Sequence, residues 1–267
     1  MANDQATLGT ARGRWWGGVV FAVAAIAFVL ARRHLEAYVA LHRWLDSHGV
    51  PAELRNLDHW LWLALGAVAA ARWTWGRGGV RRGLGLDGDV GVALRFAALA
   101  TAPMLVQAVA SGRAPRCQLG LVAAVVLAPV IEELLFRAVL VGIPTRRGGV
   151  PFWPCAVAAG LLFGAMHVPW TAAFSAGHVG VLAATTAGGI WYAWLLRVFA
   201  WNVWTTILLH AGMNAVWMVF GLAEDAAGGL WPNVGRGATI AVGTLLALRH
   251  LRRRAGANGD MNVVVGG

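Results

Sequence analysis

The sequence has no lysine: all 22 basic residues are arginine, in a chain rich in alanine, glycine and valine. Nothing in the physics of folding excludes lysine so completely, so the bias is read as codon usage in a GC-rich, bacterial genome. Charge of either sign is also scarce. Charged residues make up 13% of the chain and hydrophobic ones 58%, against roughly 25% charged in ordinary soluble domains. A 267-residue soluble domain with so few charges could not cover its own surface, which leaves the bilayer as its solvent. Two cysteines are too few for a disulfide framework. Cys117 and Cys155 fall near opposite ends of neighbouring apolar segments, beyond the few-ångström reach of a disulfide, so both are expected as free thiols. The net charge of +10 does not mark a nucleic-acid binder. The arginines are spread between apolar runs and form no single patch, so no nucleic-acid partner is expected.

What is abundant is apolar sequence in lengths near the roughly 20 residues that a bilayer crossing needs. About eight spans are expected, near Trp15–Ala31, Trp60–Trp75, Val90–Ala110, Leu119–Gly142, Phe152–Val168, Val179–Phe199, Val203–Leu222 and Val234–Leu248. The fold class is therefore all-α, a polytopic transmembrane helical bundle, with no soluble domain between spans and no internal repeat. The longest connection, Arg32–His59, mixes Leu35, Val39, Trp44 and Leu45 with charges and reads as an interfacial helix. The tail after Arg254 is rich in glycine and asparagine and is expected to be disordered. Trp15, Trp16, Trp60, Trp75, Trp170, Trp201 and Trp231 lie near span ends, as an aromatic belt requires.

With eight spans both termini share a side. Arg12, Arg14, Arg72, Arg77, Arg81, Arg82, Arg146, Arg147, Arg197, Arg249 and Arg252–Arg254 fall on that side. Opposite them lie Arg32, Arg33, Arg43, Arg55, Arg113, Arg116 and Arg236. The excess places both termini in the cytoplasm of a bacterial inner membrane. The first span has a poor cleavage-site pattern and seven spans follow it, so it reads as retained rather than as a signal peptide.

Ten of the twelve acidic residues fall in loops or tails. The other two, Glu132 and Glu133, are adjacent in the middle of the fourth span. A carboxylate near the bilayer centre costs at least a few kcal/mol, so such residues pair and commonly mark function; a structural ion pair between helices is the plainer alternative. Helix geometry separates the two. Glu133 and Arg137 are four residues apart and share a face, so each can neutralise the other. Glu132 points about 100° away, alongside Ala128, Leu135 and Phe136, and needs a partner from another span.

Two later spans offer candidates. His167 follows Phe163 by four residues in LLFGAMH, and His210 and Asn214 are again four apart in TTILLHAGMNAVW. At about 1.5 Å rise per residue, Glu132 lies about 20 Å in from the outer face, His167 about 15 Å, His210 about 26 Å and Asn214 about 20 Å. Span ends are uncertain by a few residues, so these levels allow all four to converge. Gly160 and Gly164 form a small-xxx-small pair for close helix packing.

The segments EELLFR, FGAMH and HAGMN match, in order and on separate spans, the EExxxR, FxxxH and HxxxN motifs of the CPBP family. That family takes in eukaryotic CAAX prenyl endopeptidases and bacterial bacteriocin-processing or immunity (Abi-type) proteins. The chain resembles it from about Leu119 to Phe220, and the helix carrying Gly188 and Gly189 is typical of it. The resemblance divides the chain into N-terminal helices over 1–118, a catalytic core over 119–222, and a last short span with tail over 223–267. It implies a glutamic intramembrane endopeptidase that needs no cofactor or metal and acts on a peptide or protein in or at the membrane. Glu132, helped by His167, would activate a water, and His210 and Asn214 would stabilise the oxyanion. Glu133, Arg137 and Phe163 would support them. Two other readings remain open at this level. One is a non-catalytic membrane scaffold or immunity partner. The other is a zinc-dependent membrane protease with Glu132, His167 and His210 as ligands, although no HExxH is present.

Overall fold

A computed structural model of the chain describes residues 2–31, 35–50, 57–116, 119–168, 175–223 and 228–257. Cys117, Trp170, Arg32, Arg33 and Arg55, all named above, lie outside the described residues. Those residues form helices and no strand. In chain order the helices are α1 (Ala2–Ala31), α2 (Glu36–Ser47), α3 (Leu57–Gly83) and α4 (Val90–Ala110). A composite helix, α5, follows; it is α-helical over Leu119–Val122 and Ala128–Glu132 and π-helical over Ala123–Leu127 and Glu133–Val139. Then come α6 (Gly142–Gly148), α7 (Phe152–His167), α8 (Ala176–Val198), α9 (Val203–Val219) and α10 (Leu230–Ala257).

The helix positions agree closely with the apolar segments read from sequence, and α4 coincides with its segment. The long connection does hold a helix, α2, which buries none of its residues and exposes Leu41 and Trp44. The count of crossings is a different matter. Among the described residues, two helices, α4 and α8, are long and apolar enough to span by length and composition, or three spans if Trp15–Ala31 and Glu36–Ser47 form one broken span. α7 and α9 are apolar but have 16 and 17 residues, about 24–26 Å at 1.5 Å per residue, below the roughly 30 Å hydrocarbon thickness. The ends of α3 and α10 carry arginines that lower their hydropathy. The tail was expected to lose structure after Arg254; instead α10 continues to Ala257, and residue 258 onward lies outside the described residues.

The packing builds around α5. α1 pairs with α3, α7 with α8, and α4 with α9 and α10, while α5 touches members of each group. One core cluster joins Ala22, Ile26, Leu63, Ala67, Leu135, Phe136, Val139, Phe163 and Ile207. Two capping residues set the height of α9. Asp89 Oδ1 accepts from Val92 N at 2.9 Å and starts α4. Asn202 Oδ1 accepts from Trp204 N at 3.2 Å and starts α9, and Asn202 Nδ2 donates to Asp89 O at 2.9 Å. The two helix starts are thereby tied together. Gly85 passes so close to the turn before α9 that a Cβ there would sit 1.9 Å from the Trp201 carbonyl oxygen, so no other residue fits.

The α7–α8 contact depends on small residues, as the sequence implied. A Cβ on Gly164 would lie 2.2 Å from Thr186 Oγ1 and 2.9 Å from Leu182 O; one on Gly160 would lie 3.0 Å from Thr186 O. From the other side, Gly189 meets Gly160 Cα. This close approach fixes the axial position of Phe163 and His167.

Candidate active site

The ionisable residues of α5 are buried. Glu133 is 0%, Arg137 1% and Glu132 8% exposed. Uncompensated charge in such a place is costly, so the contacts must provide compensation. Arg137 Nε lies 3.2 Å from Glu133 Oε2, the i,i+4 pair expected from sequence. The guanidinium also lies over the Phe163 ring at 4.5 Å, with Tyr192 at 5.6 Å and Phe136 at 5.9 Å. Aromatic faces attract a cation where water is excluded.

Glu133 has a second partner that helix geometry did not foretell. His210 Nδ1 lies 3.0 Å from Glu133 Oε1, and His210 Nε2 lies 3.8 Å from Glu132 Oε2. One imidazole therefore stands between both glutamates, one ring nitrogen toward each. Glu132 receives its partner from another helix, as expected; Glu133 is shared between Arg137 and His210 rather than satisfied by Arg137 alone. The π-helical turn beginning at Glu133 changes the angular step between residues from that of an α-helix. Such turns occur often at functional sites and leave no mark on hydrophobic periodicity.

The hydrogen bonds fix where protons sit on the imidazoles. A Glu133 carboxylate paired with Arg137 can only accept, so His210 Nδ1 donates to it. Phe163 O likewise only accepts, so His167 Nδ1, 2.8 Å away, donates to it, and Nε2 is the ring nitrogen left for another partner. Phe163 thus serves through both its backbone and its ring, which touches His167 at 4.4 Å and packs edge-on to Phe136 at 5.1 Å. Both imidazoles lie within electrostatic reach of Glu132.

Asn214 lies one turn beyond His210 on α9, as the spacing required. Its Nδ2 donates to Ala124 O at 3.1 Å, in the first π-helical segment of α5, rather than to Glu132. Glu132, Glu133, His210, Arg137 and Phe163 form one directly connected group; His167 joins it through Phe163, and Asn214 borders it.

Two residues of this group escaped the sequence reading. Tyr192 is buried beside His210, with ring centroids 5.5 Å apart, and its hydroxyl donates to Met213 Sδ at 3.3 Å. Thr206 is fully buried one turn before His210, and its hydroxyl donates to Val203 O at 3.0 Å. A signal for Thr206 was present, since Thr206, His210 and Asn214 recur every four residues and so share one face of α9. Tyr192 carries no comparable spacing signal. Glu132, His167 and His210 also do not form a metal-holding group; among the described residues no trio of histidine, cysteine, aspartate or glutamate does. Cys155 is a buried free thiol.

Residues 116–216 match the family model of the type II CAAX prenyl endopeptidase Rce1-like proteins, a match consistent with the CPBP family. The matched stretch contains every residue of this site. The matched family is one of membrane-embedded proteases. No curated protein and no solved structure matches the chain.

Proposed function

We propose that this chain is a glutamic intramembrane endopeptidase, multi-pass with about eight crossings, that hydrolyses a peptide bond of a membrane-associated protein or peptide. The observation that carries this reading is the single imidazole of His210 placed between Glu132 and Glu133, 3.8 Å from one and 3.0 Å from the other. A purely structural Glu133–Arg137 pair has no need of a histidine or of a second buried carboxylate.

In the proposed reaction Glu132 takes a proton from a water whose oxygen attacks the carbonyl carbon of the scissile bond. His167, through its Nε2, assists that proton removal. The tetrahedral oxyanion is stabilised by the second N–H of the Asn214 amide and by Nε2–H of protonated His210. Glu133 holds His210 in orientation and stabilises its imidazolium form. The proton on Glu132 then passes to the departing nitrogen, and the carbon–nitrogen bond breaks. Every group is a side chain of α5, α7 or α9, and the scheme draws on no cofactor. Arg137 and Phe163 have supporting roles.

The test is a comparison of membrane and secreted peptides from cells carrying wild type and Glu132→Gln. Peptides that disappear, with their uncut precursors accumulating, identify the substrate. Identical peptide sets at equal protein abundance would favour the non-catalytic scaffold.

A further inference from the structure

A second polar feature lies apart from the buried glutamates and shares no residue with them. The helix α3 breaks at Gly76, whose φ of 69° and ψ of 175° are not helical, and its last turns run on to Gly83. This bend lays the Trp75 ring against Gly83, where a Cβ would sit 2.2 Å from the indole. Trp75, Gly79, Arg82, Gly83, Arg146 and Arg147 line the resulting cleft of about 340 Å³. A neighbouring hollow shares Gly79 and Arg82 with it and adds Arg81 and Asp87.

The charge in this cleft is one-sided. Arg82, Arg146 and Arg147 line it with no carboxylate, and the neighbouring hollow adds Arg81 and one carboxylate, Asp87, 3.6 Å from Arg82. Arg146 is held in place: Nη1 donates to Gly83 O at 2.7 Å, and the guanidinium lies over Trp201 at 5.4 Å and Trp75 at 5.8 Å. Burial, followed by the repulsion of Arg147, pushes the Arg146 guanidinium below its ordinary range, and Asp87 offsets this only in part. Arginine does not give up its proton in proteins, so an anion between Arg146 and Arg147 would offset their mutual repulsion. The guanidinium fork suits phosphate oxygens in particular. The cleft also has an indole wall and lies at the arginine-rich end of α3, the pairing of tryptophan and arginine that suits a headgroup level.

We propose that this arginine cleft binds the phosphate of an anionic phospholipid headgroup. The lipid anchors the α3 end to α6, bridging Arg82 on one helix and Arg146 and Arg147 on the other. Arg146 is preoriented by Gly83 and the two tryptophans, while Arg82 and Arg147 close on the headgroup from the rim.

The test uses the full chain in a neutral detergent, with thermal melting and native mass spectrometry as readouts. Phosphatidylglycerol should raise the melting temperature and remain bound, whereas phosphatidylcholine and inorganic phosphate should do neither. Arg82→Gln/Arg147→Gln should weaken phosphatidylglycerol binding about 25-fold, about fivefold for each guanidinium removed near a charged membrane surface. Arg147→Gln alone, at an exposed position, should show the single fivefold loss and guards against misfolding of the double variant. Arg252→Gln/Arg253→Gln removes the same charge elsewhere and should bind as wild type does. Equal binding of phosphatidylcholine, or unweakened binding by the cleft variants, overturns the proposal. So does an equal effect of inorganic phosphate, which would make a free anion the ligand, or of polyglutamate, which would make it an acidic peptide.

Discussion

At the scale of single residues, the two neighbouring glutamates do different work. Glu133 is enclosed with Arg137 at 3.2 Å and His210 at 3.0 Å, so it is a fixed counter-ion. Glu133→Gln leaves Arg137 buried without its anion, and breaking such a pair costs about 3–5 kcal/mol. The expected outcome is a lower melting temperature and lower abundance in membranes. Adding Arg137→Met removes the stranded charge and should restore part of the loss; no restoration would mean that Arg137 is compensated elsewhere. Cleavage per folded molecule should also fall, through His210, but by less than when Glu132 is replaced. The Glu133–Arg137 contact was legible in the sequence because four-residue spacing fixes it within one helix. The Glu133–His210 bond was not. It depends on the π-helical turn and on how α9 seats against α5, and neither has a signature in one sequence. Tyr192 was missed for a related reason, as its neighbours come from other helices.

At the scale of elements, the helices themselves were the most legible feature, because runs of apolar residues between arginines and tryptophans mark them directly. Gly160 and Gly164 were legible too, and the close approach of α7 to α8 gives them a measurable role. Gly164→Ala places a Cβ 2.9 Å from the Leu182 carbonyl oxygen, a backbone atom that cannot swing aside. Overpacking of this kind costs about 1–3 kcal/mol. Because the strain arises next to Phe163 and His167, the variant should lose cleavage activity as well as melting temperature. Gly188→Ala is the control, since a Cβ there meets nothing within 4 Å, and it should melt like the wild type. Equal melting of the two variants would contradict the tight packing of α7 on α8. The π-helical segments were illegible because hydrophobic periodicity does not register a π turn, and the break at Gly76 was illegible because a single glycine does not reveal its backbone angles.

At the scale of the whole molecule, composition identifies a membrane protein, but the number of crossings does not follow from apolar length alone. Short helices such as α7 and α9 fall below the threshold by length, while α3 and α10 carry arginines in their last turns that lower their hydropathy. With the proposed eight crossings, the arginine distribution puts both termini and the Arg146–Arg147 turn in the cytoplasm. Cysteines introduced at Asn3 and Gly148 should then resist a membrane-impermeant thiol reagent added from outside and react after the membrane is opened. Labelling of both from outside would invert the orientation, and labelling of only one would require an odd number of crossings between them.

The chemistry converges on Glu132, whose carboxylate lies 3.8 Å from His210 Nε2. Replacement by glutamine keeps the size of the side chain and much of its hydrogen bonding but removes the base. The decisive measurement is the turnover of a processed substrate by purified Glu132→Gln, normalised to folded protein, with melting recorded on the same sample. Turnover should fall by about 10²–10⁴-fold, the usual effect of losing a positioned base, while melting stays close to wild type. Near-normal turnover, or unfolding of Glu132→Gln while Glu133→Gln stays folded, would contradict the assignment of Glu132 as the base.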